Sequence, residues 1–83
     1  MQQFPIIEEN QVAILRADVN TGHVLDVDFN LALKEEQQVF TVCENFDEAL
    51  RELNLLLEQR KDVEYVIYGS NQEVLKFMSP FLR

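Results

Sequence analysis

The chain has 83 residues, 47% of them apolar, which suits one small folded domain and excludes an intrinsically disordered chain. A domain of this size buries only about 60–65% of the surface its unfolded form exposes, so its stability margin is thin. Fifteen acidic residues against seven basic ones give a formal charge of −8, which disfavours nucleic acid and anionic membrane surfaces as partners.

The longest apolar runs are short, such as Leu55-Leu56-Leu57, whereas a transmembrane helix needs roughly 20 apolar residues. The start, Met1-Gln2-Gln3-Phe4-Pro5, lacks the basic flank and apolar core of a secretory signal. The single cysteine, Cys43, excludes an intramolecular disulfide and suits a reducing compartment. The expected location is cytoplasmic.

Residues 1–10 read as irregular or as a short edge strand. Residues 12–19, VAILRADV, and 23–33, HVLDVDFNLAL, read as strands. The second alternates, with Leu25, Val27, Phe29, Leu31 and Leu33 on one face and Asp26, Asp28 and Asn30 on the other. A three-residue loop, Asn20-Thr21-Gly22, pairs Ala17 with Leu25, Leu15 with Val27 and Ala13 with Phe29. It also sets Arg16 opposite Asp26, a favourable cross-strand charge pair. Gly22 stands where such a loop wants a left-handed residue. The aspartates then form the solvated face of a strand.

The oxygen-rich stretch Asp18–Asp28 also invites a calcium reading. Counted from Asp18, an EF-hand loop would need a side-chain oxygen at Gly22, a glycine at His23 and a glutamate at Phe29. It fails at all three, and no metal site is expected.

After the polar turn Lys34–Gln37, residues 38–44, QVFTVCE, read as a third strand. An even-length loop sets Phe40 and Val42 on the Phe29/Leu31 face and Val39, Thr41 and Cys43 on the other, and a one-residue slip reverses this. Asn45 opens a helix, with Glu48 placed to complete a capping box and Asp47 and Glu48 complementing the helix dipole. Phe46, Leu50, Leu53 and Leu57 recur at helical spacing, flanked by Ala49 and Leu56. Leu55 lies off the stripe and would widen the buried face, while Arg60 and Lys61 close the helix. Residues 63–68, VEYVIY, form a fourth strand ended by Gly69, with Tyr65 and Tyr68 split between core and surface. Ser70-Asn71-Gln72-Glu73 reads as a second capping box, opening a short helix through Val74, Leu75 and Met78 that stops before Pro80. The tail Phe81-Leu82-Arg83 is apolar enough to dock.

The expected fold is α+β, one domain over residues 1–83, in the order β-β-β-α-β-α. An antiparallel meander joins a right-handed β-α-β crossover in one sheet, and the main helix covers the Leu25–Leu33 face.

No cofactor is implied. His23, the lone histidine, sits beside a turn, where a transition-metal site would need several converging ligands. Cys43 reads as a buried hydrophobe unless a base activates it, and nothing places His23 beside it. Glu8-Glu9 and Glu35-Glu36 are solubilising pairs, and Gly22 and Gly69 are too isolated to cradle a phosphate. The second sheet face, assigned Val12, Ile14, Val24, Val39, Val66 and Tyr68, is unusually apolar. Either the C-terminal helix and tail cover it, or a partner does. The leading expectation is a non-enzymatic, acidic protein-interaction domain that self-associates, as a homodimer through that face, or binds a protein. An inhibitor or immunity-type role toward a basic target lies within that class. The alternative is a small enzyme or ligand-binding subunit using Cys43, His23 or the Asp-rich strand.

Overall fold

A computed structural model describes residues 2–81. It is a mixed α+β domain with one antiparallel sheet and one helix. The elements are β1 (Val12–Asp18), β2 (Val24–Leu25), β3 (Phe40–Cys43), α1 (Phe46–Gln59), β4 (Val63–Tyr68) and β5 (Val74–Met78). The order β-β-β-α-β is the one read from sequence, and the sixth element differs.

β1 is the central strand. One side of it pairs with β4, and β5 follows β4 at the edge. The other side is shared: β3 pairs with Val12–Leu15, and β2 pairs with Arg16 and Ala17. The meander is therefore corrected, since β3 lies against β1 rather than β2. β3 and β4 are both antiparallel to β1, hence parallel to each other with β1 between them. The β3-α1-β4 connection spans β1, and the helix lies over β1, β3 and β4.

The first hairpin differs by one residue. Arg16 faces Leu25 and Ala17 faces Val24, so the loop has four residues rather than three. Asp18 causes the difference. Its Oδ1 accepts the N–H groups of Asn20 and Thr21, and its carbonyl accepts that of Gly22. Gly22 does adopt the left-handed conformation, with φ 76°. A one-residue shift exchanges faces, so Leu25, not Asp26, stands beside Arg16.

The long second strand is also corrected. Residues 24–32 fold back on themselves: Leu25 bridges Leu31, and Ala32 donates to the Val24 carbonyl at 3.0 Å. The aspartates are the reason. Asp26 Oδ1 takes the N–H groups of Asp28 and Asn30, offering the backbone an alternative to the sheet ladder. Asp26 is buried rather than solvated. Leu25 and Phe29 reach the core under α1, but Leu31 and Leu33 are exposed, so the helix does not cover that whole face.

Strand β3 alternates, but on the reverse faces from those expected: Thr41 and Cys43 pair with Ile14 and Val12 on the helix side, where Phe29 also packs, and Phe40 and Val42 face away. Val39, just before the strand, packs with Phe40 rather than with Cys43. Asn45 caps α1, its Oδ1 accepting the Glu48 N–H at 2.8 Å. Ala49, Leu53 and Leu57 are buried on the inner stripe. Leu55 is 62% exposed and does not widen it. The last helical turn carries no basic residue: Arg60 is the C-cap, and its guanidinium pairs with Asp62 at 3.0 Å.

The expected C-terminal helix is strand β5. Gly69 donates to the Glu73 carbonyl at 2.9 Å, closing a hairpin, and Glu73 Oε1 accepts the Asn71 N–H rather than capping a helix. Five residues give too few hydrogen bonds to offset helix nucleation, whereas pairing with β4 satisfies a sheet edge. Phe81 is exposed and does not dock, while Leu82, Arg83 and Met1 lie outside the described residues.

Two apolar clusters result. The larger lies between sheet and helix and includes Ile14, Leu53, Tyr65 and Ile67. Val12 and Ile14 belong here, not to the second face. The smaller lies on the opposite side, around Ala13, Val39 and Phe40. Its cover is the N-terminal segment, which forms no strand. Phe4 meets Phe40 and Tyr68 edge-on at 5.2 and 5.8 Å, and Gln2 Oε1 accepts the N–H groups of Val39 and Phe40. The tyrosines split by face: Tyr65 is buried under α1, and Tyr68 lies half-buried beneath Phe4.

Candidate functional site

The sheet face away from α1 is apolar in rows. Register places Phe40, Leu15, Val66 and Phe77 side by side across β3, β1, β4 and β5. A second row runs Val42, Ala13, Tyr68, Val74. Phe4 and Ile7 close over the β3 and β1 end. At the β5 end nothing comparable lies above the sheet among the described residues: Val74, Leu75 and Phe77 are exposed at 62%, 44% and 44%. β5 pairs only with β4 among the described residues, so its outer backbone edge is free. A register shift at Ile67/Tyr68 bulges the strand at Leu75, and Lys76 adds a charge. Bulges and lysines hinder indiscriminate edge pairing.

The residues singled out for chemistry do not converge. Cys43 stands opposite Val12 and His23 beside Asp18, at the two ends of β1, hence about 20 Å apart along the strand. The Cys43 thiol is buried, and its Sγ lies 3.7 Å from Glu52 Oε2. Burial, with Glu52 and Glu48 beside it, pushes its pKa up to about 11. That is the reverse of nucleophile activation. His23 is exposed and borders a hollow lined also by Val24, Leu31, Ala32 and Leu33. Asp18 and Asp26 spend their carboxylates on local N–H groups. No group of three metal-ligating side chains occurs among the described residues.

Sequence reasoning missed a polar group under the helix. Arg16 is 4% exposed on the helix side, directly across from the buried Tyr65 of β4. Phe29 covers it, with Arg16 Cζ 5.5 Å and Arg60 Cζ 4.4 Å from the ring centroid. The alternation of β1 was the available signal: Val12, Ile14 and Arg16 share a face, so Arg16 follows two core residues inward.

No family model, curated protein or solved structure matches this chain.

Proposed function

We propose that this chain is a non-enzymatic protein-interaction domain, docking a protein along β5 and the open sheet face beside it. The observation that supports this reading is the exposure of Val74, Leu75 and Phe77 on an edge strand whose outer backbone groups are unpaired among the described residues. An extended segment added there gains main-chain hydrogen bonds from the edge and side-chain contacts from the apolar rows. The occupant proposed is an extended segment of a net basic protein. The charge of −8 favours such a partner and opposes a second copy of equal charge. A cytoplasmic location belongs to the same proposal. No helix among the described residues is long and apolar enough to cross a membrane. The raised Cys43 pKa weighs against the alternative of a thiol-dependent enzyme.

The test is a tagged pull-down at moderate salt, run in parallel with Phe77→Ser and Leu55→Ser. Leu55 is exposed on the helix, away from the sheet. A stoichiometric basic protein held by the parent and by Leu55→Ser, but released by Phe77→Ser at unchanged Tm, supports the proposal. Size-exclusion chromatography with light scattering covers the other occupant: a dimer broken by Phe77→Ser would replace the basic partner with a second copy. Recovery of the bait alone, as a monomer, would overturn the reading.

A further inference from the structure

Arg16 has three side-chain nitrogens, and one is partnered: Nη2 donates to Thr41 Oγ1 at 2.8 Å. Nε and Nη1 are buried with no hydrogen-bond partner among the described residues, and so is the hydroxyl of Tyr65. Arg16 and Tyr65 face each other across β1 and β4, so these unmet groups stand on one side of the sheet between neighbouring strands. An unsatisfied buried polar group is destabilising, and a buried ion without a direct partner more so.

The nearby carboxylates do not resolve this. Glu52 and Asp26 act on Arg16 through charge, but neither bonds to it. Asp26 is occupied by Asp28, Asn30 and the Gln37 side chain. A water molecule can meet the hydrogen-bonding need of these groups, and an anion meets it while adding the direct ion pair that Glu52 and Asp26, which act without bonding, do not supply. The cover over the group is itself unusual. Phe29 has φ 68°, a strained conformation for a bulky residue, and strain of this kind concentrates at ligand clamps. A second guanidinium, that of Arg60, lies on the ring of Phe29 while Nε and Nη2 pair with Asp62, leaving Nη1 outside that pair.

We propose that Arg16 and Tyr65 form an oxyanion-binding site beneath Phe29, with Arg60 as the outer cation, for a small carboxylate- or phosphate-class ligand. The site lies on the helix side of the sheet, apart from the β5 face, and stands or falls independently of it. Arginine suits this role because its planar donors match the oxygens of carboxylate and phosphate. Phe29 covers the guanidinium at 5.5 Å from Arg16 Cζ, so a ligand reaches it only if the ring moves aside.

Melting curves in sodium phosphate and sodium acetate, each against sodium chloride of equal ionic strength, test the site. Arginine Nε–H NMR follows Arg16 directly. A saturable rise in Tm with one of the two anions is expected, together with a shift of the Arg16 Nε–H resonance. The anion that acts identifies the ligand class. Arg16 is itself a buried residue of the core, so Tyr65→Phe and Arg60→Gln carry the comparison in place of Arg16→Met. Tyr65→Phe should weaken the apparent affinity about tenfold while keeping the fold, the effect of one hydrogen bond to a charged group. Arg60→Gln should weaken it less. No saturable effect of either anion over chloride, or an effect unchanged in both variants, would overturn the site.

Discussion

Asp26 Oδ1 accepts the backbone N–H of Asn30 at 3.0 Å and that of Asp28 at 2.9 Å, so one carboxylate oxygen holds the turn that carries Phe29 over Arg16. The other oxygen accepts from Gln37 Nε2 at 2.7 Å. These bonds, Gln37 first and Asn30 next, hold the carboxyl below its ordinary value of 3.8. A depressed folded pKa stabilises above the unfolded pKa, and the contribution is lost as pH falls through the folded value. Asp26→Ala should lower Tm by several degrees at neutral pH. Asp26→Asn keeps an acceptor for the two N–H groups, so it should recover most of that loss and flatten the acid limb of the stability curve below about pH 4. Thermal melts from pH 7 to pH 3 decide it, and an Asp26→Asn curve as steep as the parent's would place the acid sensitivity elsewhere.

The helix separates two leucines sharply. Leu53 is fully buried against the sheet, whereas Leu55 stands outside. Leu53→Ala should cost about 2–5 kcal/mol, enough to unfold much of the population at moderate temperature in a domain this small. Leu55→Ser should stay within about 0.5 kcal/mol of the parent. Urea titration measures both. Similar losses at the two positions would mean that α1 docks through a different stripe.

Gly22 offers a test of backbone conformation free of steric crowding. Its φ is 76°, and a Cβ built there meets nothing within 4 Å. Gly22→Ala should therefore cost about 1 kcal/mol through the left-handed backbone alone. Gly22→Asn should cost less, because asparagine tolerates that region. Equal losses in chemical denaturation would show that the loop relaxes to a different turn.

How far the sequence carried this fold depends on where competing local chemistry lay. Helix α1 was legible because Asn45, the leucine stripe and the first-turn acids agree with one another. β4 was legible from its β-branched and aromatic run. Residues 23–33 were not, although their alternation is strict, because Asp26 can bond the backbone it belongs to and end the strand. The Ser70–Glu73 stretch has the spacing of a capping box, yet its glutamate serves Asn71 within a hairpin. Nothing local distinguishes those uses, since the free edge of β4 decides between them. The apolar second face was anticipated in kind and in Val24, Val39, Val66 and Tyr68, but not in Val12 and Ile14, which pack under the helix, nor in the N-terminal cover, which depends on contacts distant in sequence. Arg16 was read as the solvated partner of Asp26. The one-residue shift, with Tyr65 arriving from β4, placed it in the core.

Cys43 gives the opposite pH dependence from Asp26. Its pKa rises from 9.0 to about 11, chiefly through burial and then through Glu52 and Glu48. An acid that the fold keeps protonated stabilises fully below its unfolded pKa, and the advantage is lost as pH rises toward the folded value. Stability should therefore fall between pH 9 and about 11. Tyr65, whose buried hydroxyl is also pushed up, adds to the same limb. Cys43→Ala removes the thiol's share, so its alkaline limb should be shallower than the parent's, and Cys43→Ala/Tyr65→Phe shallower still. Thiol labelling checks the same burial kinetically. At pH 8 the native protein should react with a disulfide reagent only at the rate of opening, and fully once denatured. Prompt labelling of native protein at that pH would show an accessible thiolate and return Cys43 to consideration as a reactive group.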